Sequence, residues 1–292
     1  MDVALHLGAH FTDSDRLLRS LLRNRGPLGE LGVAVPGPGR YRDVLQEVML
    51  KLRGAPASAD TRDVVLETVL ESDEPERLVL SNPSFISMPA ASLAENRIYP
   101  KAHKAAWLRN IFPDSPMALF LSVRNPATWV PALYHHLHKG PDAFGDFIAG
   151  VDPLALRWSD TVRDIRAACP DCPLTVWAHE DTPLLWGEIM RSVGGVSEEA
   201  GLHGGFDMLR EIITPEGLRR LRAYTKAHPP ANDMTRRRVI GAFLSKFAVE
   251  DELDEVLDLP GWTPELAARM TETYEQDLDL IEALPGVRLL IP

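Results

Sequence analysis

The stretch Val3-Ala4-Leu5-His6-Leu7-Gly8-Ala9-His10-Phe11-Thr12-Asp13-Ser14-Asp15 decides the fold. Residues 3–7 form a short apolar run of strand length, Gly8 opens a turn, and Leu17, Leu18, Leu21 and Leu22 then recur at helical spacing. The reading is strand, tight turn, helix. Working outward, 32–35 adds a short extended piece, and 41–52 and 61–70 read as amphipathic helices joined by a Gly/Ala/Pro/Ser loop. Further buried strands are predicted at 77–80, 117–123 and 174–177, with helices at 105–112, 129–138 and 184–193 between or after them. Strands alternating with helices predict an α/β, three-layer αβα fold around a parallel sheet of four to five strands. Beyond Gly194 the pattern turns helical at 215–228, 235–249 and 264–284, before a last apolar run at 287–291. The expectation is a single domain over 1–292, with an α/β core in 1–195, a helical C-terminal region in 206–286, and the glycine-rich 194–205 as a hinge or linker.

Composition narrows the function. The 292 residues carry a net charge of −11, which repels a phosphate backbone, so nucleic acid is not expected as a partner. No stretch reaches membrane-spanning length, and Met1-Asp2 leads into the apolar run without a basic region, which predicts a soluble, cytoplasmic protein with no membrane span. Cys169 and Cys172 form a Cys-Pro-Asp-Cys loop before a strand, whereas a thioredoxin-like pair opens a helix and zinc needs two further ligands. They read as spare loop cysteines, and no metal site is expected.

A buried strand turning into a helix N-terminus is a ready anion site, because unpaired N–H groups and the positive end of the helix dipole face the turn. A nucleotide-kinase loop does not fit, since Asp13, Ser14 and Asp15 stand where Gly, Lys and Ser/Thr are required. The segment instead resembles the opening of the bacterial phosphoadenosine-phosphosulfate (PAPS) sulfotransferases, which reads like His-Lys-Thr-Gly-Thr-Thr after an apolar strand. His10, Phe11, Thr12, Asp13, Ser14 and Asp15 occupy those positions. In that family the lysine neutralises charge on the leaving oxygen, the glycine admits phosphate and the hydroxyls donate hydrogen bonds. Here Phe11 replaces the lysine, Asp13 the glycine and Asp15 the last threonine, while Thr12 and Ser14 keep hydroxyls. Read locally, Asp13 or Ser14 is an N-cap and Asp15 a first-turn acid, so the helix fills its own anion site with carboxylate.

The second motif is Arg124-Asn125-Pro126 at the end of the 117–123 strand. It resembles the family's Arg-Asp/Asn-Pro, whose arginine and a serine eight positions later hold the donor's 3′-phosphate. Arg124 matches, Ala132 stands in the serine's place, and Tyr134 remains. Arg124 reads equally as a phosphate clamp or as a structural ion-pair partner, and Tyr134 as a core aromatic. Pro131 is expected to kink or restart its helix.

Weaker signals complete the survey. Lys101-Ala102-His103, 21 residues before Arg124, resembles a family element whose histidine is general base for the acceptor, which makes His103 the catalytic candidate; an exposed loop is the plainer reading. Strand-end Ser81-Asn82 and the 177–181 segment resemble further family elements. His135, His136 and His138 read as polar helix-face residues. Arg236, Arg237 and Arg238 span a helix circumference and read as solvated, although they are the obvious replacement for a missing donor-site cation. The acidic 250–258 reads as solvated, with Leu253, Val256 and Leu257 turned inward. Asp13-Ser14-Asp15 also fits the Asp-x-Asp of metal-dependent sugar-nucleotide glycosyltransferases. The resemblance covers roughly 3–195 and implies a small-molecule ligand at the strand ends. The expected function is a sulfotransferase-like protein with a degenerate donor loop, inactive or holding an altered ligand. The alternatives are an active PAPS-dependent sulfotransferase with a rewired site, acting on a hydroxyl or amine, and the glycosyltransferase.

Overall fold

The computed structural model describes residues 1–70, 75–249 and 259–292, so the inward-facing residues expected in 250–258 lie outside the described residues. The chain runs β1 (Asp2–His6), α1 (Arg16–Arg23), α2 (Arg25–Glu30), β2 (Val33–Ala34), α3 (Pro38–Leu52), α4 (Ala59–Val69) and β3 (Arg77–Ser81). A hairpin of β4 (Leu93–Ala94) and β5 (Arg97–Ile98), α5 (Ala105–Arg109), β6 (Met117–Val123), α6 (Pro126–Leu137), α7 (Phe144–Phe147), α8 (Trp158–Ala168), β7 (Leu174–Ala178) and α9 (Thr182–Gly194) follow. The last third holds α10 (Leu209–Ile212), α11 (Pro215–Ala227), α12 (Asp233–Phe247), α13 (Pro264–Glu282) and β8 (Val287–Leu290).

Six strands form one all-parallel sheet in the order β2-β3-β1-β6-β7-β8. The count exceeds the expected four to five because residues 287–290 return to pair with β7, setting Val287 opposite Leu174. The crossover that brings them back passes through α9–α13, and no local periodicity reveals so long a return. Alternation along each strand sends side chains to opposite faces. Val3, Leu5, Leu78, Leu80, Leu119 and Leu121 share one apolar cluster with residues of α3, α4, α5, α6, α8 and α13. Ala4, Val79, Phe120 and Trp177 share the other with α1, α2 and α9. Burial on both faces is what makes these strands continuous apolar runs in the sequence. A third, smaller cluster of Leu209, Ile213, Leu221 and Ile240 belongs to α10–α12.

Helix α6 runs on through Pro131 without the expected restart. Proline lacks the N–H that would bond the carbonyl four residues earlier. The Ala127 carbonyl so released accepts the Trp262 Nε1–H at 2.8 Å. The 194–205 segment is likewise fastened: Asn24 donates to the His203 carbonyl at 2.9 Å and accepts the His203 N–H at 2.7 Å. Among the described residues no helix is long and apolar enough to cross a membrane.

The Pro131–Trp262 arrangement predicts an energetic coupling. Trp262→Phe, which deletes the indole donor, should cost about 1–2 kcal/mol in urea unfolding. In a Pro131→Ala background, where an intrahelical N–H is restored, the same change should cost about 1 kcal/mol less. Equal costs in the two backgrounds would refute the coupling.

Candidate functional site

The carboxyl ends of β1, β3, β6 and β7 bring four segments together: the 7–15 turn, Asn82–Ser84, Arg124-Asn125 and His179–Asp181. The chain leaves β1 for one edge of the sheet, whereas β3 and β6 lead toward the other, and such a reversal leaves a crevice at the strand ends. Ladder bonding continues past β1, with Leu7 N–H to the Phe120 carbonyl at 2.8 Å and Ala9 N–H to the Ser122 carbonyl at 2.9 Å. Gly8 adopts φ +99°, and a Cβ there would lie 2.8 Å from Pro83 Cα, so only glycine lets the turn pass β3.

After Gly8 three non-glycine residues, Phe11, Ser14 and Asp15, take left-handed φ of 61°, 48° and 62°. Each costs about 1–2 kcal/mol relative to ordinary backbone, so the conformation persists because surrounding bonds impose it. Thr12 Oγ1 donates to the Ala9 carbonyl at 2.8 Å. The Asp13 carboxylate, 8 % exposed, accepts the Leu17 N–H at 2.9 Å in the first turn of α1. Of the two expected capping residues it is Asp13 that binds, and Ser14 stands exposed. Asp15, which occupies the N-cap position, makes no side-chain cap. It is gripped instead by the Arg42 guanidinium, at 2.6 and 3.1 Å, and Arg42 also donates to the Ser81 carbonyl at the end of β3. Arg42 therefore offsets one of the two acids in the turn. Nothing local in the sequence signals this pairing, because the partners are 27 residues apart.

Arg124 is buried against the same turn. Its guanidinium donates to the Phe11 carbonyl at 2.6 Å and to Thr128 Oγ1 at 3.0 Å, so backbone oxygen occupies part of the fork that the resemblance assigns to phosphate. Asn125 caps α6 through Ala127 N–H, and its own N–H is held by Glu180 at 2.8 Å. Ala132 is half-buried in α6, and Tyr134 is a core aromatic whose hydroxyl donates to the Gly140 carbonyl at 2.6 Å. Phe11 sits where the lysine is expected, its ring 5.3 Å from that of His136 and 5.9 Å from that of His10.

His10 is fixed by Tyr99, which the sequence reading did not single out. The buried Tyr99 hydroxyl accepts the His10 N–H at 2.8 Å and bonds His10 Nδ1, while His10 Nε2 meets Ser84 Oγ at 3.2 Å. Burial, aided by His136, lowers the His10 pKa to about 4. Burial, aided by Arg124 and Arg16, lowers that of His179 to about 4 as well. His6 is buried between Ser81 Oγ, 2.9 Å from its Nδ1, and the stacked ring of Trp177, and burial lowers its pKa too.

His103 lies exposed in the short turn Ala102–Lys104, and its side chain makes no hydrogen bond among the described residues. His6, His10 and His179 are imidazoles at the strand ends. Arg237 of α12 pairs with Glu188 of α9, and Arg236 approaches Asp233 of its own helix at 3.9 Å. Arg238 is exposed. Asp13 and Asp15 are both engaged by protein donors, and among the described residues no group of three His, Cys, Asp or Glu is placed to hold a metal ion. Comparison with known protein families and with curated proteins finds no match to this chain.

Two outcomes are expected. Asp13→Ala should cost about 1 kcal/mol by loss of the cap, against less than about 0.5 kcal/mol for Ser14→Ala; equal effects in urea unfolding would place the cap elsewhere. The histidines give a pH dependence. Both are neutral in the fold with pKa values lowered from 6.5 to about 4, so the unfolded chain binds protons first as pH falls. Their contribution is complete above pH 6.5, declines between 6.5 and 4, and is flat below, amounting to at most about 3 kcal/mol each. Unfolding curves of the wild type and of His10→Gln should diverge across that window; parallel curves would show that His10 does not titrate this way.

Proposed function

We propose that this chain is a sulfotransferase-like protein that does not transfer sulfuryl groups from PAPS and holds a less anionic small molecule at its strand ends. One observation carries the reading: the Asp13 carboxylate takes the Leu17 N–H at the start of α1, where the family's donor phosphate would take backbone amides. A phosphosulfate entering the turn would meet Asp13 and the neighbouring Asp15 with no lysine to offset them. Loss of one preorganised charge-stabilising donor alone typically lowers rate by about 10²–10³. Like charges a few ångströms apart at a protein surface repel by about 4 kcal/mol. Arg124 and Arg42 bring positive charge to the crevice, but both already serve backbone carbonyls, and Arg42 also serves Asp15. The remaining surfaces of the crevice, Phe11 and the neutral imidazole of His179 with the edge of His10, suit a weakly charged or neutral molecule with hydrogen-bonding groups.

Thermal unfolding with adenosine 3′,5′-bisphosphate, the donor product, tests this. At millimolar nucleotide the midpoint should not move, whereas a ligand present at a hundred times its Kd would add about 2.7 kcal/mol. A rise that disappears in Arg124→Ala would overturn the proposal in favour of an active enzyme. A rise with manganese alone would favour the glycosyltransferase. The triple variant Phe11→Lys, Asp13→Gly, Asp15→Thr, checked for folding by circular dichroism, should gain a nucleotide response that the wild type lacks.

A further inference from the structure

A cavity of about 390 Å³ lies between the flank of α1, α9 and the 207–210 segment. Its walls carry four guanidiniums, from Arg16, Arg19, Arg23 and Arg210. Among the described residues the carboxylates facing them are two. Asp207 is shared by Arg23 and by Arg210, the latter at 3.3 Å, and Glu211 pairs with Arg16 at 2.6 Å. Arg19 has no carboxylate partner among the described residues and donates only to the Ser14 carbonyl, at 2.9 Å. Among the described residues the groove thus holds two positive charges in surplus, on a chain whose net charge is −11. Concentrated like charge in a concavity is self-repulsive unless an anion relieves it, and it draws anions from solution.

The lining adds an independent sign. Trp186 and Met208 are buried and contribute apolar surface, and the indole Nε1–H of Trp186, a residue only 1 % exposed, has no hydrogen-bond partner among the described residues. A buried donor without an acceptor carries a desolvation cost that a ligand oxygen removes. Gly204 keeps the wall open, since a Cβ at its φ of +91° would lie 2.6 Å from Asp207 Oδ2 and 2.9 Å from Arg23 Nη2.

We propose that this groove binds a phosphomonoester attached to an apolar or planar body. A phosphomonoester carries about −1.5 to −2 at neutral pH, which matches the surplus, and its oxygens suit bidentate guanidinium forks. A monocarboxylate would neutralise half as much. The Arg16–Glu211 pair is solvent-exposed and exchanges for a ligand at little cost, whereas Asp207 is mostly buried and stays in place beside Arg23 and Arg210. This site does not depend on the reading of the strand-end crevice.

Phenyl phosphate is the probe, with the full chain at low ionic strength followed by thermal shift and titration calorimetry. Saturable binding is expected, tighter than that of inorganic phosphate and weakened by salt. The exposed-residue double variant Arg19→Ala, Arg210→Ala should bind at least about tenfold more weakly, and Arg124→Ala should bind as the wild type does. Absence of binding to the wild type would overturn the proposal, as would binding undiminished in the double variant. Binding lost in Arg124→Ala but kept in the double variant would place the ligand at the strand ends, overturning this site and separating its failure from that of the nucleotide test.

Discussion

Hydrogen bonds from β1 to β3 on one side and β6 on the other run beyond the strand itself, through Leu7 and Ala9 to the carbonyls of Phe120 and Ser122. With both neighbours in place and both faces covered, the start of the 7–15 turn has no freedom to choose its direction. It must emerge beside Arg124 and pass Pro83 at a distance only Gly8 permits. The left-handed residues that follow, the burial of His6 and His10, and the seat of α1 all descend from that constraint. Removing the sheet around β1 would leave a sequence with no reason to adopt the turn.

Given that geometry, the polar groups of the turn have been matched internally. The helix amide finds Asp13, Asp15 finds Arg42, and Arg124 finds the Phe11 carbonyl. Each pair is worth little alone, on the order of 1 kcal/mol, yet a group left unmatched in a buried turn would cost about 1–3 kcal/mol. The network therefore acts less by adding stability than by removing penalties that strained backbone would otherwise incur. A conventional anion loop keeps such donors unmatched until ligand arrives. Here the Leu17 amide, Asp15 and Arg124 are satisfied by the protein itself.

The strands of the sheet centre were legible because two-sided burial writes continuous apolar runs, and residues 117–123 coincide with β6. The long helices were legible through their periodicity. What escaped was set by partners far along the chain. Helix α8 begins without a local cap, and its first amides, those of Trp158 and Ser159, are held by the buried Asp277 of α13 at 2.7 and 3.0 Å. Strand β8 is apolar enough to notice, but its pairing with β7 is decided by tertiary packing. In the crevice the sequence pointed to Asp13 and Arg124 because each stands at a strand end. It was silent on Arg42 and Tyr99, whose roles arise where α3 and the loop after β5 cross the turn.

The helices α10–α12 have an apolar cluster of their own, and what joins their residues to α1 and α9 is to a large extent charge: Arg16 to Glu211, Arg23 to Asp207, Arg191 to Asp233 and Glu188 to Arg237. Ionic contacts and apolar contacts answer to different variables. Salt weakens the first and strengthens or spares the second. Of these pairs Arg16–Glu211 and Arg23–Asp207 open to solvent and follow ionic strength, whereas Arg191–Asp233 and Glu188–Arg237 are mostly buried and are screened much less. A change in the electrolyte around the molecule is therefore felt on the α1 side of that border before the α9 side.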